Sequence, residues 1–212
     1  MGASLCTPTG FEQHAIDTLC ASNPRDISFT VPSDCDAICV AVGGQGFEVN
    51  TVTWDQGGTN QSVPQEAELL GTYDMWMGYL LNPTTGAKTL RIDWTTTPVG
   101  GHVGIFYVKG AAIGGVIDFD TADFTLVSLS LTAATDALAL GFGSRTTSAG
   151  VLTKIDFGTE VLIFNDTTFT APCTTGNSAV AVIEDTGSPL FMQWQSASFS
   201  LAGSGIGISV EG

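Results

Sequence analysis

An all-β chain folded as an antiparallel β-sandwich is what this sequence predicts, and three observations carry the prediction. Charged residues make up 13% of 212 positions, about half the usual share, and 26 glycines with many Thr, Ser and Ala take their place. Short apolar segments alternating at period two recur along the chain, separated by clusters of Gly, Pro, Asn, Asp, Ser and Thr. Only one stretch, FEQHAIDTLCA near the N-terminus, offers a helix. Two sheets packed face to face satisfy this pattern, and a jelly roll is the expected form.

Taken in order, residues 1–25 come first and lack strand periodicity. Leu5, Phe11, Ile16 and Leu19 make the segment too apolar for a solvated tail. It reads as an N-terminal arm packed on the sandwich or on a neighbour, with those four as its candidate partner-binding residues. Residues 26–212 then form the expected single jelly-roll domain, a length that one β-sandwich accommodates. Within it DISFTV (26–31), DAICVAV (36–42), VNTVTWD (49–55), HVGIFYVKG (102–110) and FTLVSLSL (124–131) read as strands. So do DALALGF (136–142), EVLIFN (160–165), SAVAVIE (178–184), LFMQWQ (190–195) and GIGISV (205–210). No linker divides the chain, and no repeat of fixed period is evident.

The most legible segment is GYLLNPTTGAKTLRIDW, residues 78–94. In KTLRIDW the side chains of Leu90, Ile92 and Trp94 alternate with Thr89, Arg91 and Asp93, the pattern of a half-buried strand. The preceding YDMWMGYLL is apolar on both faces, as a strand covered on both sides must be. Pro83 presets φ and Gly86 permits φ above zero, so the connection reads as a hairpin turn. Arg91 and Asp93 then belong to a solvated face rather than to a catalytic pair. The expected core comprises Leu90, Ile92, Trp94, Leu138, Leu140, Phe142, Ile206 and Ile208.

Charge and targeting narrow the function. Six bases against 21 acids give a formal charge of −15, which repels phosphate backbones and argues against nucleic-acid binding. No basic segment followed by an apolar one opens the chain, and no apolar run approaches the length of a membrane span. Export by a cleaved signal and membrane insertion are therefore not expected. The sequons at Asn60-Gln61-Ser62 and Asn165-Asp166-Thr167 carry little weight in that setting. Cys6, Cys20, Cys35, Cys39 and Cys173 are an odd set without metal-ligand spacing. Cys35 and Cys39 on one strand would lie roughly 13 Å apart, too far for a mutual disulfide. Reduced thiols are the expectation.

Catalytic chemistry finds few materials. His14 and His102 are the two histidines, and neither neighbours a glycine-framed nucleophile. Glu66 and Glu68, and likewise Asp118 and Asp120, have the i, i+2 spacing that sets two carboxylates on one strand face, as a glycosidase needs. Glu66 and Glu68 nevertheless follow Pro64 in what reads as a loop. Residues 118–123 read as an acidic turn, without the glycine-containing loop and terminal Glu of a strong calcium motif. No enzyme, cofactor or metal site is expected, with cation binding at Asp118 to Asp123 left open. Trp76, Trp94 and Trp194 sit in apolar strands and read as core. Trp54 and Asp55, beside the polar run Gln56-Gly57-Gly58-Thr59-Asn60, are the candidates for facing a ligand.

TVPSDCDAICVAVGG, VNTVTWDQ, MWMGYLLNPTTGAKTLRIDW and GIFYVKGA together resemble a group of jelly-roll domains found in bacteriophage structural proteins and bacterial surface proteins. The likeness spans roughly residues 26–112; Trp76 to Gly86 with Thr89 matches the family hairpin, and Tyr107 to Gly110 matches the next strand with one extra residue. The resemblance implies a non-enzymatic virion module, first of all a capsid decoration (cement) protein made in the host cytoplasm. It would sit on the outer capsid surface as a homo-oligomer, a trimer in first place, bound to the major capsid protein. A receptor- or carbohydrate-binding tail module is the alternative, and a cellular lectin or glycosidase comes third.

Overall fold

Residues 37–44 are buried without a break, and a strand covered on both faces must lie between two layers of structure. The computed structural model describes residues 4–5, 11–15, 23–71, 74–96, 100–110, 116–124, 126–131, 138–145, 152–154, 160–166, 177–184, 190–196 and 203–210. Every regular element among them is a strand, and every pairing is antiparallel. In chain order the first ten are β1 (Ser4–Leu5), β2 (Phe11–Ala15), β3 (Arg25–Val31), β4 (Ala37–Gln45), β5 (Glu48–Trp54), β6 (Gln61–Ser62), β7 (Gln65–Leu69), β8 (Asp74–Leu81), β9 (Gly86–Thr96) and β10 (Gly100–Lys109). The remainder are β11 (Val116–Phe124), β12 (Leu126–Leu131), β13 (Leu138–Arg145), β14 (Leu152–Lys154), β15 (Glu160–Asp166), β16 (Asn177–Glu184), β17 (Leu190–Ser196) and β18 (Gly203–Val210).

The sandwich expectation holds, but the sheets number four rather than two. One sheet runs β3-β9-β5-β6 and packs on a second, β10-β4-β8-β7, whose β10 edge carries β1 and β2. Between them lies a first core containing Phe29, Trp54, Leu90, Ile92 and Trp94 from one side, and Ile38, Val40, Val42, Trp76, Val103, Ile105 and Tyr107 from the other. The opposite face of the second sheet is also apolar. Ala37, Cys39, Ala41, Met75, Met77, Phe106 and Val108 meet Leu138, Leu140, Phe142, Ile206, Ile208 and Val210 of a third sheet, β11-β18-β13-β16-β15, in a second core. That double coverage is why alternation disappears in β4 and β8.

A fourth sheet, β12-β17-β14, covers the far side of the third. On β13 and β18 large residues alternate with small ones, Leu138, Leu140 and Phe142 with Ala139, Gly141 and Gly143. The small face admits the fourth sheet closely. A Cβ on Gly207 would stand 3.0 Å from Leu129 Cδ1 and 3.2 Å from the Leu140 carbonyl oxygen. All eight expected core residues are buried, although they divide between the two cores.

The two halves of the chain wind alike. β2-β10-β4-β8-β7 and β11-β18-β13-β16-β15 are the same order, strand for strand, and β3-β9-β5 corresponds to β12-β17-β14. No sequence period announced this, because strand order is set by register and connection rather than by residue identity.

Four local expectations are corrected. FEQHA is β2, paired with β10 from Phe11↔Phe106 to Ala15↔His102, where a helix was expected; a ready sheet edge overrides a modest helix propensity. Asp118–Asp123 lies within β11, against β18, and is not a turn. β8 and β9 are not a hairpin. β8 pairs with β4 and β7, β9 with β3 and β5, so Asn82–Gly86 is a corner between sheets. Turn chemistry reads the same for both connections, and Gly86 does take a positive φ of 86°. Finally Cys35 is disulfide-bonded, with its partner outside the described residues, whereas Cys39 is free and buried.

Candidate functional site

The polar stretch after β5 is where ligand contact was expected, and it folds as a tight turn against the Asn82–Gly86 corner. Asp55 and Asn60 adopt left-handed φ values of 55° and 52°, a conformation that Asx side chains tolerate. The turn closes on Asp55, whose carbonyl accepts the Gly58 and Asn60 amides at 2.9 and 3.1 Å. Gly57 N donates to Asn60 Oδ1 at 2.8 Å.

Asp55 is the hub of this end of the molecule. Its Oδ2 accepts the Thr59 amide at 3.0 Å, the Thr59 hydroxyl at 2.9 Å, the Thr84 hydroxyl at 3.2 Å and the Lys88 ammonium at 3.3 Å. The Thr59 amide, with help from the Thr59 hydroxyl, Lys88 and Thr84, holds the carboxyl down at about 2. A Cβ on Gly58 would strike the Asp55 carboxylate, so a larger residue there would have to push it off its donors. The corner is tied in from the other side. Gln61 Oε1 accepts Thr84 N at 2.7 Å, and Gln61 Nε2 donates to the Asn82 carbonyl at 3.0 Å.

Trp54 is fully buried in the first core, and its Nε1 donates to the Thr84 carbonyl at 2.9 Å. Its ring offers no face for stacking a sugar. Asp55 is occupied as an acceptor by four donors and already neutralised by Lys88. The cluster therefore acts as a clamp that fastens the turn to the inter-sheet corner. Sequence reasoning singled out Asp55 and missed Thr84 and Lys88, which are far along the chain; Thr59, four residues on, was the one local signal.

The other candidates lie apart. Glu66 and Glu68 stand on β7, not in a loop, and a bulge between Gln65 and Ala67 breaks the register at Glu66. Glu68 lies opposite Trp76 and accepts from Gln65 Nε2 at 3.4 Å. Burial raises both carboxyls, with Glu48 and Asp74 adding to the rise at Glu68, while Glu66 acts electrostatically on Cys39 and Tyr79. The bulge takes Glu66 out of the register that Glu68 keeps, so the simple i, i+2 alternation of a regular strand does not describe this pair.

His102 is fully buried on β10, opposite Ala15 and Gly43, and His14 lies opposite Val103. Asp118 and Asp120 take places on β11 opposite Ser209 and Gly207. Leu5 and Phe11 lie on β1 and β2, along β10; Ile16 and Leu19 lie outside the described residues. Among the described residues no three His, Cys, Asp or Glu side chains gather as a metal site. Arg91 and Asp93 behave as read: Arg91 makes a two-pronged pair with Asp26 at 2.7 Å, and Asp93 accepts from Thr51 Oγ1 at 3.0 Å, all on the outer face of the first sheet. No family model, curated protein or solved structure matches the chain.

Proposed function

We propose that the protein is a structural component of a bacteriophage particle, a capsid decoration protein that binds the outer surface of the major capsid shell in many copies as a homo-oligomer. The observation that carries the reading is the order of the four layers. The β3-β9-β5-β6 sheet and the β12-β17-β14 sheet are outermost, at opposite ends of the stack, while the two sheets between them are consumed by the cores. Two separate outer faces leave room for neighbours on both sides, which supports the reading. The acidic balance of −15 keeps such a molecule off nucleic acid.

The strand order supports the jelly-roll form of the reading. With β1 and the edge strand β7 set aside, and β2, β3, β4, β5, β6, β8, β9 and β10 counted as first to eighth, one sheet runs first-eighth-third-sixth and the other second-seventh-fourth-fifth. That is the order of two interlocked Greek keys. The Asp55 carboxylate is committed to internal donors, which supports a structural rather than a catalytic role for this turn.

Copy number per particle tests the reading. A decoration protein is expected in hundreds of copies on filled heads and shields them from heat. A few copies on tails, with binding to host polysaccharide, would establish the receptor-binding alternative. Absence from particles would overturn both.

A further inference from the structure

The β10 edge of the second sheet is closed by the N-terminal strands β1 and β2. β10 contributes Val103, Ile105, Phe106, Tyr107 and Val108, all fully buried, and β4 pairs with it along one side from Gly100 to Val108. Among the described residues, the other side is covered by β1, two residues long, and β2, five residues long. Bare, it would be a long apolar edge with unpaired amides and carbonyls, a template that recruits any available strand. The slot must be filled, and among the described residues β1 and β2 pair with β10 alone.

We propose that β1 and β2 form an exchangeable strap, and that the β10 edge is the docking site for β1 and β2 of a second copy of this chain. Complementarity is already on display, since the slot fits this very segment. Ser4 lies opposite Lys109, Leu5 opposite Val108, and Phe11 to Ala15 run opposite Phe106 to His102. Glu12 Oε2 accepts the Tyr107 hydroxyl at 2.6 Å and so marks the register; a slip by one residue would reverse every side chain and break that contact. A sister copy offers the same backbone ladder and the same carboxylate, so exchange keeps the β1–β10 and β2–β10 pairings. The connecting chain and the concentration decide which copy's strap is seated. The geometry stands without the capsid reading, and it deepens that reading by giving the homo-oligomer its interface.

The test uses purified full-length chains, away from any particle, so that its failure is separable from failure of the capsid assignment. A Ser4→Cys variant is mixed with a Lys109→Cys variant at high concentration, oxidised mildly, and mapped by peptide mass. A heterodimer joined between positions 4 and 109 is expected, because those residues meet across the β1–β10 ladder. The Ser4→Cys/Lys109→Cys double variant is expected to close within one chain on dilution and between chains on concentration. Closure only within its own chain at every concentration, with no heterodimer in the mixture, would overturn the proposal; failure to close either way would overturn the pairing on which it stands.

Discussion

The Tyr107 hydroxyl donates to Glu12 Oε2 across 2.6 Å, and so joins a residue wholly buried in the first core to one on the N-terminal strand. Burial, reinforced by the Glu12 hydrogen bond, pushes the phenol far above its ordinary range, which keeps Tyr107 a neutral donor at every physiological pH. The N-terminal segment, read from the sequence as an arm packed on the sandwich or on a neighbour, is thereby linked to this core by a charge-assisted bond.

Removing the donor tests the strength of that link. Tyr107→Phe keeps the ring and leaves the Glu12 carboxylate without this partner, and hydrogen bonds to charged groups contribute about 1.5–3 kcal/mol. The expected result is a melting temperature several degrees lower, followed by circular dichroism, with the β-rich spectrum of the folded state retained. Glu12→Gln should fall between the variant and the parent. Equal melting of all three would show that the contact contributes nothing.

Asp55 sets an acid dependence. Its folded-state carboxyl is held at about 2 against an ordinary 3.8, so the folded protein binds that proton less readily than the unfolded chain. The stability this contributes is fully present above about pH 4 and is lost as pH falls toward 2. Urea midpoints measured from pH 7 to pH 2 should therefore fall more steeply for the parent than for Asp55→Asn, and the two curves should converge at the acid end. Parallel curves would mean that the Thr59, Thr84 and Lys88 donors do not favour the charged form.

Glu66 and Glu68 should act in the opposite sense. Burial raises both carboxyls in the folded state, which makes their charge unfavourable to folding above the unfolded value and relieves that cost as pH falls through the folded one. Glu66→Gln and Glu68→Gln are expected to stabilise modestly at pH 7, with the gain fading below about pH 4. Thermal melts at the two pH values decide it; destabilisation at neutral pH would assign these carboxylates a favourable contact.

Strand identity was legible wherever one face of a strand meets solvent. Leu90, Ile92 and Trp94 alternate with Thr89, Arg91 and Asp93, and all three apolar residues are buried. It was also legible in continuous apolar runs such as β4, but there the reason for continuity, a second core beneath, was hidden. Sequence marks a residue as buried without saying what covers it. β7 and β11 were missed because Glu66, Glu68, Asp118, Asp120 and Asp123 gave them the look of loops, and a pairing neighbour, β8 or β18, overrides that polarity. The clamp at Asp55 was half visible: the turn chemistry of Asp55 to Asn60 is local, whereas Thr84 and Lys88 arrive only through the inter-sheet corner.

Redox state should be visible in stability. Cys35 is disulfide-bonded and buried in the first core, at the passage from β3 to β4. Four residues on, Cys39 is a free thiol in the second core, and burial with the nearby Glu66 charge pushes its pKa well up, so it is a poor attacker of that disulfide. A native disulfide typically contributes about 2–4 kcal/mol. Melting with a thiol reductant present is therefore expected several degrees below melting without it. In Cys35→Ser the reductant should make no difference attributable to this bond, and the variant should melt near the reduced parent. Cys39→Ala, by contrast, should start lower, because it leaves a small void in the second core opposite Tyr79, yet keep the full response to reductant. A parent protein that melts identically in both conditions, with thiol titration confirming that Cys35 was reduced, would mean that the bond holds nothing the packed core does not already hold.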